Sequence, residues 1–253
     1  MSIQGLMGKP LTAIAATAIM GLGLSAGTAM ALPVNGTGNV TNEVIMGSSI
    51  ANGSWTGVTA NGIELALRGK LRFNGAGDPE NTFNYDGDHT YTFDPSLSAI
   101  LPNWSVFNFE FSINSDPTGM AATNLDSYIY LLMVDIDPSN GTNFVPNTFS
   151  PTLFVDNSYG DNSTGQSLGD EGTFLALGAG NNLMQNSQNF GFGYTLFAQL
   201  PGTYTFNLIA SAIGGSELAR TSIDIVVVPE PGTLALFGLG LVGLGLARRR
   251  KIV

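Results

Sequence analysis

Apolar and polar residues alternate along two long segments, and this alternation limits the fold of the chain more than any other feature. In both segments, Ile63–Phe73 and Phe107–Ile113, the odd positions are apolar apart from Gly69, and most even positions are polar. A period of two residues is typical of a β-strand that buries one face and exposes the other to water. The sequence therefore predicts two long strands, each with one wet face.

Several further segments have the composition of strands. Tyr128–Ile136 is apolar at almost every position, which indicates a central strand covered on both faces. Alternating apolar residues over 204–208 are expected to pair with those over 223–227 as a hairpin, because a turn-rich segment at 214–216 lies between them. Shorter strands are expected near residues 91–93, 152–155, 173–177 and 192–198.

These segments predict an all-β fold, since no window of twelve residues between 32 and 228 has a convincing helical period. Strands separated by clusters of Gly, Pro, Asn and Asp favour an antiparallel β-sandwich or jelly roll, which we treat as one domain over 32–228. A β-helix is the alternative, but the chain lacks the fixed-period repeat that a β-helix requires. Residues 32–62 form either a loose leader or a first strand around Val40–Met46. The string Leu200–Tyr204 resembles the loop that enters a late strand of immunoglobulin-like sandwiches.

The composition of this domain excludes several functions. The chain has no cysteine, so disulfide frameworks, thiolate nucleophiles and Cys-ligated metal sites are ruled out. Residues 32–228 hold four basic residues against eighteen acidic ones, a net charge of −14. Binding to nucleic acid requires a surplus of Lys and Arg, so no nucleic-acid partner is expected.

Residues 1–31 have the organisation of a secretory signal peptide. Lys9 ends a short basic region, an apolar stretch follows over Leu11–Leu24, and Ala29 and Ala31 form a small-x-small cleavage site. The apolar stretch is too short to span a bilayer comfortably, which favours removal over anchoring. The alternative is an N-terminal helix that is buried in the folded protein.

The C-terminal segment, residues 229–253, consists of three parts. Pro229, Glu230 and Pro231 come first, sixteen residues without a charge follow over 232–247, and a basic cluster ends the segment. As a helix, 232–247 would be about 24 Å long, short of the roughly 30 Å hydrocarbon core unless it borrows preceding residues. Cations after an apolar span stay in the cytoplasm by the positive-inside rule, so the bulk of the chain is expected outside. The basic cluster comprises Arg248, Arg249, Arg250 and Lys251.

This three-part segment resembles the PEP-CTERM sorting signal. The resemblance covers about residues 228–251 and implies recognition of Pro229, Glu230 and Pro231 by an exosortase, an integral enzyme of the inner membrane, with Arg248–Lys251 as the stop-transfer anchor. It further implies a Gram-negative host that makes exopolysaccharide, and residence at the cell surface or in the biofilm matrix after processing. The alternative is an ordinary C-terminal membrane anchor that is never cut.

His89 is the only histidine of the chain and lies in an Asp86-Gly-Asp88-His89 string. It is a candidate metal ligand together with Asp86 and Asp88, or a general base. The alternative, which we favour, is a polar residue at the start of a strand. A single histidine also excludes metal sites that need two or three imidazoles.

Two loops after expected strands are rich in hard oxygen ligands, which suit calcium. Asn, Asp and Gly also form the turns of β proteins, and this second interpretation is favoured for each loop. Calcium is therefore kept as a speculative cofactor, and no other cofactor is expected. Its candidate ligands are Asp135, Asp137, Ser139, Asn140, Asp156 and Asp161.

Taken together, the sequence predicts an exported, non-enzymatic structural protein of the cell surface or extracellular matrix. Its expected partners are an exosortase, exopolysaccharide and, before processing, the inner membrane through the C-terminal helix. One alternative is a calcium-dependent carbohydrate-binding module, in which Trp55 or Trp104 would stack on sugar rings. A second alternative is a secreted glycan hydrolase or lyase that uses a pair of carboxylates.

Overall fold

The computed structural model describes residues 38–41, 43–48, 50–73, 76, 78–94, 105–138, 141–144, 148–189, 200–228, 232 and 237–242. Within these residues twelve strands form two facing sheets, so the predicted all-β sandwich is confirmed. The strands are β1 (Thr56–Ala60), β2 (Ile63–Phe73), β3 (Pro79–Thr82), β4 (Thr90–Phe93), β5 (Phe107–Asn114), β6 (Tyr128–Val134), β7 (Thr148–Phe149), β8 (Asn157–Gly160), β9 (Asp170–Gly172), β10 (Leu183–Gln188), β11 (Gly202–Ala212) and β12 (Glu217–Val227).

The larger of the two sheets has the strand order β1-β2-β5-β10-β8-β9, with β3 paired to β2, among the described residues. We call it the large sheet. The small sheet has the order β4-β12-β11-β6-β7. Neighbouring strands are antiparallel except β4 and β12, which run parallel. The sandwich is thus a mainly antiparallel pair of sheets with one parallel edge.

The core lies between the sheets and contains aromatic residues from both. Phe107 and Phe109 of β5 face Tyr204 and Phe206 of β11, and the ring centroids of Phe109 and Phe206 are 5.0 Å apart. These four side chains are at most 1% exposed. Burial of apolar area on this scale is the main stabilising contribution to a domain of this kind.

Gly69 lets the two sheets approach closely at β2. A Cβ atom at this position would lie 2.9 Å from the Cβ of Tyr91 and 3.1 Å from side-chain atoms of both Phe93 and Ile225. Tyr91, Phe93 and Ile225 belong to the small sheet. The gap in the apolar alternation of β2 therefore makes room for side chains of β4 and β12.

The predicted hairpin at the end of the domain is confirmed as β11 and β12. Tyr204 pairs with Ile225 and Phe206 with Ile223, while Val227 lies opposite Gly202. The hydroxyl of Tyr204 donates to the carbonyl of Leu200 at 2.7 Å. This bond ties the loop that enters β11 to the strand, as in the tyrosine corner of immunoglobulin-like sandwiches.

A segment without strand structure crosses the outer face of the large sheet. We call its described residues, 38–41, 43–48 and 50–55, the N-terminal strap. Val44, Met46 and Trp55 of the strap form a second apolar cluster with Ala66 of β2. The strap is therefore neither a loose leader nor a first strand, although the sequence allowed only these two interpretations.

Side chains of the large sheet hold the strap by hydrogen bonds to its backbone. The carboxylate of Glu64 accepts from the N–H of Thr41 at 2.7 Å. The amide of Gln185 accepts from the N–H of Ile45 at 2.8 Å and donates to the carbonyl of Glu43 at 3.1 Å. The strap thereby satisfies polar groups that the sequence pattern placed on a wet face.

The prediction of a wet face on β2 and β5 is accordingly wrong. Glu64, Arg68 and Glu110 are 3%, 0% and 0% exposed. The alternation correctly identified which side chains enter the core, but the strap and its apolar cluster cover the opposite face. Both faces of the large sheet are therefore buried along these strands.

Three shorter predictions also need correction. β6 buries alternate residues only, and Ile129 is 54% exposed, so this strand is not covered on both faces. The strand expected near 152–155 is a 3-10 turn at Pro151–Leu153. The one expected at 173–177 is a helical turn at Phe174–Leu177. Apolar runs of four or five residues fit either a strand or a helical turn, which explains both errors. The strand expected near 192–198 lies outside the described residues.

Candidate functional site

The last strand of the sandwich ends directly before the Pro-Glu-Pro segment. β12 lies between β4 and β11, and Ile223, Ile225 and Val227 point into the core with at most 1% exposure. The N–H of Val228 still donates to the carbonyl of Phe93 at 3.0 Å. Pro229 has no N–H and cannot extend this ladder. Among the described residues, the backbone ladder of the small sheet therefore continues to Val228, and it cannot continue through the nitrogen of Pro229.

The sorting and cleavage residues predicted from the sequence lie outside the described residues: Ala29, Ala31, Pro229, Glu230, Pro231, Arg248, Arg249 and Arg250. Of the C-terminal segment the structure describes a helix over 237–242. Its large apolar side chains are 54% to 68% exposed. No helix in the described part of the chain has the length and apolar character that a membrane span requires. The exposed side chains are Phe237, Leu239, Leu241 and Val242.

His89 lies at the start of β4, as the favoured interpretation predicts. Its Nδ1 is 2.9 Å from Oδ2 of Asp88, and its Nε2 is 4.0 Å from Oδ2 of Asp224 on β12. The carboxylate of Asp86 accepts from the N–H groups of Asp88 and Thr90. Asp86 thus caps the turn that leads into the strand, which is a structural task.

Asp135 is buried at the end of β6 and organises the loop that follows. Its carboxylate accepts from the N–H of Asp137 and from the N–H of Asn143, both at 3.0 Å. Asp137 is exposed. Ser139 and Asn140 lie outside the described residues. The oxygens of Asp135 serve as turn-forming acceptors.

Asp156 and Asp161 lie at opposite ends of β8. A rise of about 3.3 Å per residue puts their Cα atoms roughly 16 Å apart, so the two cannot share an ion. Oδ1 of Asp156 accepts from the amides of Asn186 at 3.0 Å and Gln188 at 3.1 Å. Asp161 accepts from the hydroxyl and from the N–H of Ser163, and these bonds hold the pKa of Asp161 below its ordinary value.

Asp161 comes near a second carboxylate that the sequence did not single out. Asp116 and Asp161 both line a cavity of about 290 Å³ beside Asn162 and Asn182. The carboxylate of Asp116 accepts from three consecutive backbone N–H groups, those of residues 120–122. Among the residues that the structure describes, no group of three or more His, Asp or Glu side chains is placed to hold a metal ion. Calcium binding stays a prediction that no cluster of ligands among the described residues supports.

A buried group of charges lies between the strap and the large sheet. Nε of Arg68 donates to Oε2 of Glu110 at 2.6 Å, and Nζ of Lys70 is 3.0 Å from Oε1 of Glu110. The guanidinium lies between the rings of Trp55 and Phe83, with its carbon 4.0 and 4.3 Å from their centroids. Burial raises the pKa of Glu110, but the attraction of Arg68 and Lys70 outweighs it, so the pKa lies below its usual range. Glu110 is therefore held as a carboxylate.

A polar cleft of about 530 Å³ opens beside this group of charges, and we call it the outer cleft. Four adjacent strands, β2, β5, β10 and β8, contribute the side chains of Lys70, Asn108, Ser187 and Ser158. The strap residues 46–48 and 50 also line it. Carboxylates, amides and one aromatic ring are the other described groups of the lining, namely Glu80, Asp156, Glu171, Asn81, Asn186 and Phe73.

Sequence reasoning missed the outer cleft and the group of charges. Arg68 and Glu110 are direct cross-strand partners in the β2–β5 register, and Lys70 is the partner of Asn108. Opposite charges at corresponding positions of two alternating segments were the available signal. Which strands pair was not visible in the sequence. Trp55 is fully buried in the strap cluster, and Trp104 lies outside the described residues.

Comparison with known proteins identifies the C-terminal segment. Residues 227–251 match the family model of the PEP-CTERM protein-sorting motif, which confirms the resemblance seen in the sequence. No curated protein matches the chain. No solved structure matches it either. The match begins at the last residue of β12, where the hydrogen-bonded domain ends. The chain therefore carries a PEP-CTERM sorting signal and is an exported protein that passes through the membrane and is processed by an exosortase.

Proposed function

We propose that the protein is a non-enzymatic structural component of the cell surface or the extracellular matrix of a Gram-negative bacterium. The boundary between the domain and the sorting signal carries this proposal. Val228 makes a ladder bond and Pro229 cannot, so a cut on the C-terminal side of Val228 releases the sandwich with its small sheet intact. The product is a folded β-sandwich without a membrane anchor.

The proposal divides the precursor into three parts. Residues 1–31 serve as the signal peptide, with cleavage after Ala31; residues 32–228 form the sandwich; residues 229–253 form the sorting segment. The apolar run 232–247 holds the precursor in the inner membrane, and Arg248–Arg250 keep its end in the cytoplasm. The exposure of the large apolar side chains over 237–242 supports this, because a bilayer is the environment that buries such side chains.

A structural role fits the construction of the domain. Both faces of the large sheet are covered along β2 and β5, one by the small sheet and the other by the strap. The net charge of −14 over residues 32–228 keeps such a protein soluble and repels anionic lipid once the anchor is gone. Exopolysaccharide is the partner that this location offers.

The proposal is tested in the native host with a Glu230→Ala variant and, as the matched control, a Glu217→Ala variant at the exposed start of β12. Intact-mass measurement of protein from the envelope and the medium is expected to give a C-terminus near Pro229 for the wild type and the control. The Glu230→Ala protein is expected to remain in the inner membrane with its tail. A mature surface protein that still ends at Val253 would exclude processing and leave a simple membrane anchor.

A carbohydrate-binding module is the second candidate function, and the outer cleft is the observation that favours it. The outer cleft brings together polar side chains from four adjacent strands and from the strap. Retention of the purified protein on polysaccharide, with and without calcium, separates this candidate from a purely structural role.

A further inference from the structure

We propose that the outer cleft binds a segment of neutral polysaccharide. This inference rests on the proposed function and deepens it, because a matrix protein that binds the matrix polysaccharide needs a binding site for that polymer. The two proposals fail separately, since export and processing do not depend on the cleft.

The floor of the outer cleft is organised before any ligand arrives. The amide of Asn108 donates to Oγ of Ser187 at 2.9 Å, and its oxygen accepts from the amide of Asn189 at 2.8 Å. Asn108 and Ser158 are 1% and 4% exposed. Neighbouring strands are about 4.8 Å apart, so the four strands give a floor roughly 14 Å across. Fixed side chains lose little entropy on binding.

Lys70 adds a cation at one end of the floor. Its side chain is 8% exposed, and its ammonium lies 3.0 Å from Glu110. An ammonium has three donors and Glu110 takes one of them, which leaves donors for a ligand oxygen in the cleft. Arg68, Lys70 and Glu110 together carry a net charge of +1, which the carboxylates at the walls of the cleft outweigh.

The walls of the cleft are acidic. Among the described side chains that line it, three carboxylates, Glu80, Asp156 and Glu171, stand beside the cation Lys70. Like charges repel a polyanion, and the domain as a whole carries −14. Anionic polymers such as nucleic acid and polyuronate are therefore poor ligands for this site. The carboxylates are instead good acceptors for hydroxyl groups.

The mixture of donors and acceptors fits a polyhydroxylated ligand. Each sugar hydroxyl both donates and accepts, so it can pair with the amide, hydroxyl, carboxylate and ammonium groups of the lining. Phe73, Met46 and Ile50 add apolar surface for the faces of sugar rings. A volume of about 530 Å³ lies in the range of specific small-ligand sites. Several consecutive sugar units of one polysaccharide fit the cleft better than a single small molecule, because the floor crosses four strands.

A peptide ligand is less suited to this site. Extended peptides bind by adding a strand to an exposed sheet edge or by filling apolar pockets. The outer cleft lies on the face of the large sheet, and its floor presents polar side chains. The observations thus favour a glycan over a peptide.

The test measures retention of the full-length protein, purified in mild detergent, during electrophoresis through gels that contain dextran, mannan or soluble β-glucan. Ser48 is exposed at the rim of the cleft, so a Ser48→Trp change is expected to fill it without disturbing the core. Ser216→Trp in the exposed β11–β12 turn is the matched control. A second pair, Glu171→Gln and Glu217→Gln, compares an exposed cleft carboxylate with an exposed one elsewhere.

We expect affinity for at least one neutral polysaccharide, lowered at least tenfold by Ser48→Trp and severalfold by Glu171→Gln. Both control variants should bind as the wild type does, and all four variants should keep the wild-type thermal unfolding midpoint. The proposal is overturned if no neutral polymer is retained, or if Ser48→Trp binds normally. Binding confined to alginate or dextran sulfate, or to a gelatin gel in a manner that Ser48→Trp abolishes, would also overturn it, since these outcomes assign a polyanion or a peptide.

Discussion

The N–H of Val228 donates to the carbonyl of Phe93 at 3.0 Å, one residue before the Pro-Glu-Pro segment. Phe93 ends β4, which runs parallel to β12 and forms an edge of the small sheet among the described residues. The C-terminal strand of the domain is thus held between β4 and β11 up to the start of the sorting signal. The last described ladder bond of the domain is therefore made by the residue directly before the Pro-Glu-Pro segment.

This boundary predicts the behaviour of two truncated chains. A chain that stops after Val228 should fold like the full-length protein. A chain that stops after Ser222 loses Ile223, Ile225 and Val227, each worth roughly 1.5–3 kcal/mol of burial, and should not fold. Thermal unfolding followed by circular dichroism checks both. A cooperative transition in the chain ending at Ser222 would show that β12 is dispensable.

The Arg68–Glu110 pair predicts a large penalty for removing one partner. Glu110→Gln leaves the guanidinium buried at 0% exposure without its counter-ion, and such changes cost about 3–5 kcal/mol. The matched control is Glu217→Gln, which breaks the exposed pair with Arg220 and should cost less than about 1 kcal/mol. Urea denaturation measures both variants. Equal losses would mean that burial of the first pair does not determine its contribution.

The fold of the large sheet could be predicted from the sequence only in part. Alternation over Ile63–Phe73 and Phe107–Ile113 correctly gave two long strands and the side chains that enter the core. It could not show that a segment without periodicity, the strap, covers the other face. Glu64 and Gln185 hold the strap by hydrogen bonds with its backbone N–H and carbonyl groups. Such bonds have no signature in the sequence, because backbone groups are not specific to a residue type.

The sorting signal was predictable for a different reason. Its three parts are contiguous, so spacing along the chain preserves the pattern, and residues 227–251 match the motif. The outer cleft is assembled from β2, β5, β8, β10 and the strap, which are far apart in the sequence. Its floor depends on strand order, and strand order is a property of the whole fold.

The close approach of the sheets at Gly69 predicts that a single methyl group is harmful there. Gly69→Ala would put Cβ 2.9 Å from Tyr91, and overpacking of this kind costs typically 1–3 kcal/mol. Gly214→Ala is the control, because no atom lies within 4 Å of its added Cβ. The difference in urea midpoint between the two variants checks this. A Gly69→Ala protein as stable as the control would place the two sheets further apart.

The hydrogen bonds of Gln185 tie the strap to the large sheet and make the strap an integral part of the domain. Gln185→Ala removes the bonds to Ile45, Glu43 and Ser112 and leaves buried backbone groups without partners, a loss of about 1–3 kcal/mol for each unsatisfied group. Hydrogen exchange should accelerate at Ile45 and its neighbours more than in β11. Gln166→Ala, which loses one bond to the carbonyl of Ile50, is the milder comparison. Uniform acceleration in both segments would mean that the strap does not open separately.

The buried carboxylates make opposite contributions to stability as the pH changes. Burial raises the pKa of Glu110, but Arg68 and Lys70 lower it further, so the net pKa lies below the ordinary value of 4.5. Its stabilising contribution is therefore complete above pH 4.5 and lost as the pH falls through the folded-state pKa. Burial raises the pKa of Glu64 despite its bonds from Thr41. That contribution is complete below pH 4.5 and lost as the pH rises through the folded-state pKa.

Two variants separate these contributions in the free energy of unfolding, measured by urea denaturation from pH 7 to pH 3. In Glu110→Gln the difference from the wild type should shrink as the pH falls below 4.5, because the unfolded wild-type chain then binds a proton at Glu110 before the folded chain does. In Glu64→Gln the variant should gain on the wild type as the pH rises from 4 to 7, because only the wild type then buries a charge at this position. Parallel curves for the wild type and Glu110→Gln would mean that Glu110 has the same pKa in the folded and unfolded chain, and the buried ion pair would then make no pH-dependent contribution to the fold.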